Sequence, residues 1–358
     1  MPVFSSSRGG LPIQRKTWKW AAVATLAIVA FVWFLCGQFS AHGFDWKLMV
    51  RSLSTLDWKW LLLSMVPIFG TYLGRALRWA VFLRPLKPSP SISNLLFATV
   101  IGFTAITLFG RPGEFVRPYL IAIKERVPVP SQFAAWILER IFDLLMALLV
   151  FAFALSKVNA SGVQVGSKLT WVLAMGGRVV TVTCIVILIL LLSFRHLSQP
   201  IHRALTALLR FLPEAYHQRA DKLIEAFVQG MESTRSDGAL LAVFLYSVLE
   251  WVLIAACYWC LARSFPGILT SLVDVLIFMG FVSFGAIIQI PGIGGGVQVV
   301  AVLVLTELFG VRLELATSFA FLTWLLTFVA IVPFGLGIAL KEGLDWHSLR
   351  RIGREAVQ

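Results

Sequence analysis

Residues 108–120 read LFGRPGEFVRPYL and place Arg111, Glu114 and Arg117, with Pro112 and Gly113 among them, inside a chain that is otherwise strongly apolar. Proline suits the first turn of a helix, because the N–H it lacks would have been unpaired there, and Gly110 and Gly113 permit a sharp turn. The stretch predicts a helix that stops and restarts within a membrane, exposing backbone N–H groups and a positive dipole end. A second break of the same kind, PGIGGGVQ at 291–298, carries Pro291, Gly292, Gly294, Gly295 and Gly296. Two such helix starts converging on one cavity would favour an anion, phosphate in particular. The glycine run is not a nucleotide loop, since it lacks the flanking strand and the Lys-Ser/Thr of a P-loop.

The membrane assignment follows from composition. The chain has 358 residues, 58% hydrophobic and 14% charged, with a mean hydropathy of +0.85. Windows long enough to cross about 30 Å of hydrocarbon, at ~20 residues each, recur along its whole length. Full spans are predicted at 20–39, 58–83, 131–156, 169–194, 238–262 and 316–340, helical because lipid offers backbone groups no partner. Regions 92–124 and 271–309 each hold two apolar limbs around a Pro-Gly break, and each leaves the chain on the side it entered. The fold class is therefore an all-α polytopic membrane protein: six full spans plus two broken or re-entrant helical hairpins. Residues 1–340 form a single integral membrane domain and residues 341–358 a cytoplasmic tail. Arg15, Lys16 and Lys19 precede an apolar run from Trp20 to Cys36 that reads as an uncleaved anchor, being long for a signal and without a convincing cleavage site.

Charge placement orients these segments. With the N-terminus in the cytoplasm, eighteen Lys and Arg outside the spans fall inside, among them Arg84, Lys87, Lys124, Arg126 and Lys341, against seven outside: Lys47, Arg51, Lys59, Lys157, Lys168, Arg263 and Arg312. That bias puts both termini in the cytoplasm of a plasma membrane, by expectation the bacterial inner membrane. Units 58–156 and 238–340 then run in opposite senses, an inverted repeat around a central cavity, as in many alternating-access transporters. The polar insertion 195–237 has Tyr216, Ala220, Leu223, Phe227 and Met231 at helical spacing opposite Arg219, Lys222 and Glu225, which predicts amphipathic helices on the cytoplasmic surface.

Charged residues inside the membrane cost at least about 2.5 kcal/mol each unless paired or wet, so they mark candidate sites. The first unit contributes Arg75, Arg78, Arg111, Glu114, Arg117, Glu139, Arg140 and Asp143. The second contributes Glu250, Asp274 and Glu307, with Gln289 and Gln298 near its glycine-rich break. Arg75, Arg78, Arg111 and Arg117 outnumber the neighbouring Glu114, and a phosphate is a natural partner for the surplus. The candidate substrate-binding set is thus Arg75, Arg78, Arg111, Gly113, Glu114, Arg117, Glu139, Arg140, Asp143, Glu250, Gln298 and Glu307, with Gly110, Pro112, Pro291, Gly292, Gly294, Gly295 and Gly296 as hinges. Asp274 and Arg178 are expected to reach an interface. Glu114, Glu139 and Asp143 could act as acid and base, but no nucleophile, metal cluster or cofactor loop accompanies them, so no enzyme and no cofactor is expected. The four cysteines, Cys36, Cys184, Cys257 and Cys260, lie in apolar runs and read as packing residues. The five histidines lie outside those runs, so no metal site is expected. The net charge of +13 is spread around span ends instead of forming a stripe, which argues against nucleic acid.

At GRALRW (74–79), GRPGEFVRPYL (110–120), LERIFDLL (138–145) and PGIGGGVQ (291–298) the sequence resembles the lysylphosphatidylglycerol synthase transmembrane family, also described as the flippase-like domain. The resemblance covers roughly residues 18–340. It implies a polytopic bundle with re-entrant helices and movement of an aminoacylated phospholipid between leaflets, with Arg78, Arg111, Glu114, Arg117, Glu139, Arg140, Asp143 and the glycines near Pro291 as cavity and hinge residues. Two departures stand out. Many members carry glutamate where Gln298 stands, which shifts any carboxylate role to Glu307 or Glu250. The synthases also append a cytoplasmic aminoacyl-transfer domain, whereas this chain ends about twenty residues after its last predicted span. The expectation is a flippase-like transporter of an anionic or zwitterionic lipid, its partner a membrane lipid with a phosphate-containing headgroup. Competing readings are a lipid-modifying enzyme and an envelope-pathway scaffold; a homo-oligomer is compatible with all three.

Overall fold

A computed structural model describes residues 44–160 and 236–343, except 287–288 and 291–293, together with Val182, Thr183, Ile185, Val186 and Glu225. The predicted spans 20–39 and 169–194, most of the insertion 195–237, and Pro291 and Gly292 lie outside the described residues. The chain divides into two units, residues 1–51 and 52–358. In the described end of the first, Asp45 starts helix α1 (Trp46–Ser54) by accepting from the backbone amides of Lys47 and Leu48 at 2.9 and 3.1 Å.

Among its described residues, the second unit is helical apart from one two-residue antiparallel pairing, Gln289–Ile290 with Gly294–Gly295, and connecting turns. Its described helices are α2 (Trp58–Leu83), α3 (Ile92–Phe109), a 3₁₀ turn (Arg111–Phe115) running into α4 (Val116–Glu125), α5 (Val129–Ala160), α6 (Asp237–Ser264), α7 (Leu272–Gly285), α8 (Gly296–Glu307), α9 (Leu313–Trp324), a π turn (Leu325–Val329) and α10 (Val332–Lys341). Among the described residues, five helices are long and apolar enough to cross a membrane: 58–83, 92–109, 129–158, 237–264 and 313–341. The sequence placed 92–109 in a broken hairpin rather than among the full spans. Its partner α4 has ten residues, or about 15 Å at 1.5 Å per residue, which is half a bilayer. With fourteen and twelve residues, α7 and α8 are also too short to cross.

Helices α2 and α6 lie antiparallel at the centre. The Asp57 amide, at the start of α2, donates to the Ser264 carbonyl at the end of α6 at 3.0 Å. The two hairpins enter from opposite ends of this pair. Glu125, closing α4, accepts from the Ser91 amide and Asn94 Nδ2 at the start of α3, at 3.2 and 2.8 Å, so the first hairpin leaves where it entered, at the Leu83 end. The second hairpin starts and finishes at the Ser264 end, where Ile277, Leu308 and Phe309 pack with Leu155 and Val158.

Each hairpin is held by a helix distant in sequence, the first by α10 and the second by α5. Gly280 of α7 sits against α5, where an added Cβ would lie 3.0 Å from the Ala154 Cβ and 3.1 Å from the Val150 carbonyl. Gly335 of α10 sits against α3 so closely that a Cβ there would overlap the Thr104 side chain. Two buried cores result. One joins the Leu83 half of α2 with α3, α4 and α5 around Trp79, Leu95, Ile121 and Leu138. The other joins the Trp58 half of α2 with α6 to α9 around Leu261, Phe278, Leu305 and Phe319. The helix breaks and the charged residues lie between these cores.

Candidate functional site: a charged cavity between the two helix breaks

The first break forms for the reasons its sequence gives. Gly110 ends α3 at φ 72°, a conformation that suits glycine, and Pro112 sits in the first positions of the tight turn that follows. Gly113 meets the Ala105 backbone so closely that any Cβ would overlap it. Gly102 likewise lets α4 approach α3, since a Cβ there would lie 2.6 Å from the Arg117 Cβ. The second break closes on Gly285 and Gly296, where a Cβ on Gly285 would stand 2.5 Å from the Gly296 carbonyl oxygen. Gly294 and Gly295 form the short β pairing, and Gly295 holds φ 127°.

Both breaks border one cavity of about 340 Å³. Its charged lining consists of Arg75, Arg111, Arg140, Glu114, Asp143 and Glu250, and Tyr72, Phe103, Trp251, Tyr258 and Phe328 supply much of the apolar wall. Arg111, 49% exposed, pairs with Glu114 at 2.6 Å and donates through its other terminal nitrogen to the Ala286 carbonyl at 3.1 Å, just past the end of α7. One side chain therefore ties the first break to the second. Arg140, 38% exposed, pairs with Asp143 at 3.0 Å and reaches Glu139 at 3.4 Å. Arg75 pairs with Glu250 at 2.5 Å, and its guanidinium lies 4.5 Å from the centre of the Phe103 ring.

Deeper in the bundle, arginines and acids pair, although Arg78 Nε and one terminal nitrogen of Arg117 have no hydrogen-bond partner among the described residues. Arg78 donates to Glu139 at 2.7 Å, Asp143 at 2.8 Å and Ser247 at 2.9 Å, and lies 3.3 Å from Glu250. Arg117 pairs with Glu139 and stacks on Trp79, 4.3 Å from the ring centre. The side chains of Arg78 and Glu139 are fully buried, where an unpaired ion would cost several kcal/mol. This corrects the charge argument drawn from the sequence. Arg78 and Arg117 are not surplus cations awaiting a phosphate, because Glu139, Asp143 and Glu250 neutralise them. The whole cluster holds five arginines and four acids, a net single positive charge, and the lining residues alone cancel. In the lining too, donors remain: the Nε–H groups of Arg75 and Arg140 are buried and have no acceptor among the described residues.

Other candidates stand apart from the cavity. Gln298 Oε1 accepts from the Gly295 amide at 2.6 Å, a capping contact at the start of α8, and Gln298 is not in the lining. Glu307, at the far end of α8, is exposed and distant from the lining. Asp274 closes a reciprocal capping box with Ser271. Sequence reasoning missed the π turn, whose Thr327 and Phe328 line the cavity and whose Phe328 carbonyl accepts from Thr107 Oγ1 at 3.0 Å. Its signal was Pro333, which cannot donate back to the preceding turn and disfavours an ordinary helix there.

Residues 20–335 match the family described as the lysylphosphatidylglycerol synthase TM region. The chain belongs to this family. The match covers nearly all of the described helices and both breaks. It concerns the transmembrane region of the lysylphosphatidylglycerol synthases, not their synthase domain. No curated protein and no solved structure matches the chain. Membership identifies an integral membrane protein of the lysylphosphatidylglycerol synthase TM type, consistent with the five apolar helices.

Proposed function

We propose that the protein is a flippase-like transporter that carries a phosphate-bearing lipid between leaflets through the cavity at the two helix breaks. The observation that carries this reading is the pair of unpartnered guanidinium donors, Arg75 Nε and Arg140 Nε, on residues lining a cavity where three arginines face three acids. A phosphate oxygen satisfies such donors with charge-assisted bonds, and the acids offer a place for a cationic headgroup portion. Because the lining charges cancel, a zwitterionic headgroup fits with less electrostatic imbalance than a purely anionic one. The reading is of transport, with the lipid leaving chemically unaltered.

In the same proposal, units 58–156 and 238–340 are inverted repeats, and rocking one against the other alternates the opening of the cavity. The hairpins entering from opposite ends and the exchanged packing at Gly280 and Gly335 support this. The charge bias supports an orientation with the Leu83 end and both termini in the cytoplasm of a bacterial inner membrane, and a topology of six full spans. The test is reconstitution in liposomes carrying fluorescent phosphatidylethanolamine or phosphatidylglycerol, with and without a proton gradient. Faster translocation than in protein-free vesicles is expected, with phosphatidylethanolamine preferred. Rates equal to those of empty vesicles for both lipids overturn the proposal, and equal rates with and without the gradient assign unassisted scrambling.

A further inference from the structure

We infer that Arg111 is a headgroup-responsive latch, holding the tip of the second hairpin in the empty cavity and releasing it when a lipid phosphate arrives. The inference rests on the transport reading in that the ligand is a phosphate inside this cavity. Arg111 is a positioning residue for α7 as much as a binding residue.

The geometry gives Arg111 two kinds of acceptor. One terminal nitrogen donates to the Glu114 carboxylate in its own turn, and the other to the Ala286 carbonyl of the opposite hairpin. Ala286 caps α7, so the contact places a cation at the negative end of that helix. A carbonyl is the weaker of the two acceptors, because a guanidinium bond to an anion is roughly twice as strong as one to a neutral group. A phosphate entering the cavity therefore displaces Ala286 first. Glu114 keeps the side chain at the cavity wall throughout, since their bond lies within one turn of the break.

Release has a defined mechanical consequence. The end of α7 is held on one side by the close approach of Gly285 to Gly296, which joins it to its own hairpin. Arg111 joins that end to the first hairpin. Freeing Ala286 leaves the second hairpin intact and removes this tie between its tip and the first, a step a rocking transporter needs after it has captured its cargo. Binding and movement thus share one side chain.

Amide hydrogen exchange of residues 279–286 tests this, using protein in maltoside micelles titrated with dihexanoyl phosphatidylethanolamine or with phosphate-free dihexanoylglycerol. The phospholipid is expected to speed exchange there by about two- to fivefold, the loss of one helix-end charge contact, while dihexanoylglycerol does not. Arg111→Gln is expected to exchange fast in both lipids, with α2 and α6 protected as in the wild type. Glu114→Gln leaves the contact with Ala286 in place, so it is expected to start slow and to respond at a lower phospholipid concentration. A wild type indifferent to phospholipid, or an Arg111→Gln variant as slow as the wild type in dihexanoylglycerol, overturns the latch. Parallel liposome assays separate the two ideas: translocation with no exchange response sinks the latch alone, and an exchange response with no translocation sinks the transport reading alone.

Discussion

Arg78 and Glu139 meet at 2.7 Å with both side chains wholly buried, and Arg78 also reaches Asp143 and Ser247. One residue of α2 therefore joins α5 and α6 at the level where the two cores meet. Replacing it removes one counter-charge from each of Glu139, Asp143 and Glu250, and Arg117, Arg140 and Arg75 alone must then balance these acids. Arg78→Leu is expected to destabilise the protein by about 3–5 kcal/mol, read as a lowered thermal midpoint in detergent. Lys124→Ala breaks the partly exposed pair with Glu342 and should cost less than about 1 kcal/mol. Comparable losses for the two variants would show that burial does not set the strength of these pairs.

The glycines give a graded packing series. Gly335→Ala forces a methyl into Thr104 and should cost about 1–3 kcal/mol or more, and Gly280→Ala, facing a softer approach at 3.0 Å, should cost less. Gly74 and Gly337 face nothing within 4 Å. Alanine at either should be neutral or stabilising by about 0.5–1 kcal/mol, because it reduces the backbone entropy lost on forming a helix. Thermal midpoints of the four single variants should fall in that order.

Acid sensitivity should concentrate at Glu125. Burial pushes its carboxyl up, but hydrogen bonds from Lys87, Asn94 and the Ser91 amide, with the Lys87 charge, outweigh burial and hold it below the ordinary carboxylate range. A depressed native pKa contributes stability that is complete above the unfolded carboxylate's range and fades as pH falls through the native value. Wild type should therefore lose stability between pH 5 and pH 3, on the order of the usual carboxylate titration. Glu125→Gln should start lower at pH 7 and lose less over the same interval. Parallel pH curves for the two proteins would contradict the assignment.

Transport should depend on Arg140 more than stability does. Its side chain is partly exposed and lines the cavity, and its Nε–H lacks an acceptor among the described residues. Arg140→Gln should lower lipid translocation by about tenfold or more, equivalent to one charge-assisted hydrogen bond of about 1.5–3 kcal/mol. The folded fraction by circular dichroism should match the wild type. Full translocation in this variant would remove Arg140 from the lipid path.

Much of this architecture was legible because membrane helices announce themselves by length and punctuation. Pro112 between Gly110 and Gly113 marked the first break. Pairing across the bundle was less legible. Glu250 stands more than one hundred residues from Arg75 and Arg78, and periodicity within a helix says nothing of which distant helix faces it. That is why the arginines looked unmatched. Gln298 and Asp274 were polar residues in apolar surroundings for a local reason, each satisfying backbone amides at a helix start. Glu307 lies at a helix end, away from the cavity. The π turn left no trace but Pro333, because the widening of a helix depends on neighbours such as Thr107 that the local sequence does not contain.

The contact of Gly335 with Thr104 also sets a timetable for biosynthesis. More than two hundred residues separate them, so at about 5–20 residues per second the ribosome needs on the order of ten to fifty seconds after α3 emerges to deliver the helix that covers it. Through that interval, Thr104 and its neighbours lack their permanent neighbour, and the nascent first half depends on lipid or on an insertion factor for shelter. The first hairpin is complete only when α10 docks, which makes this late-translated helix its closing piece.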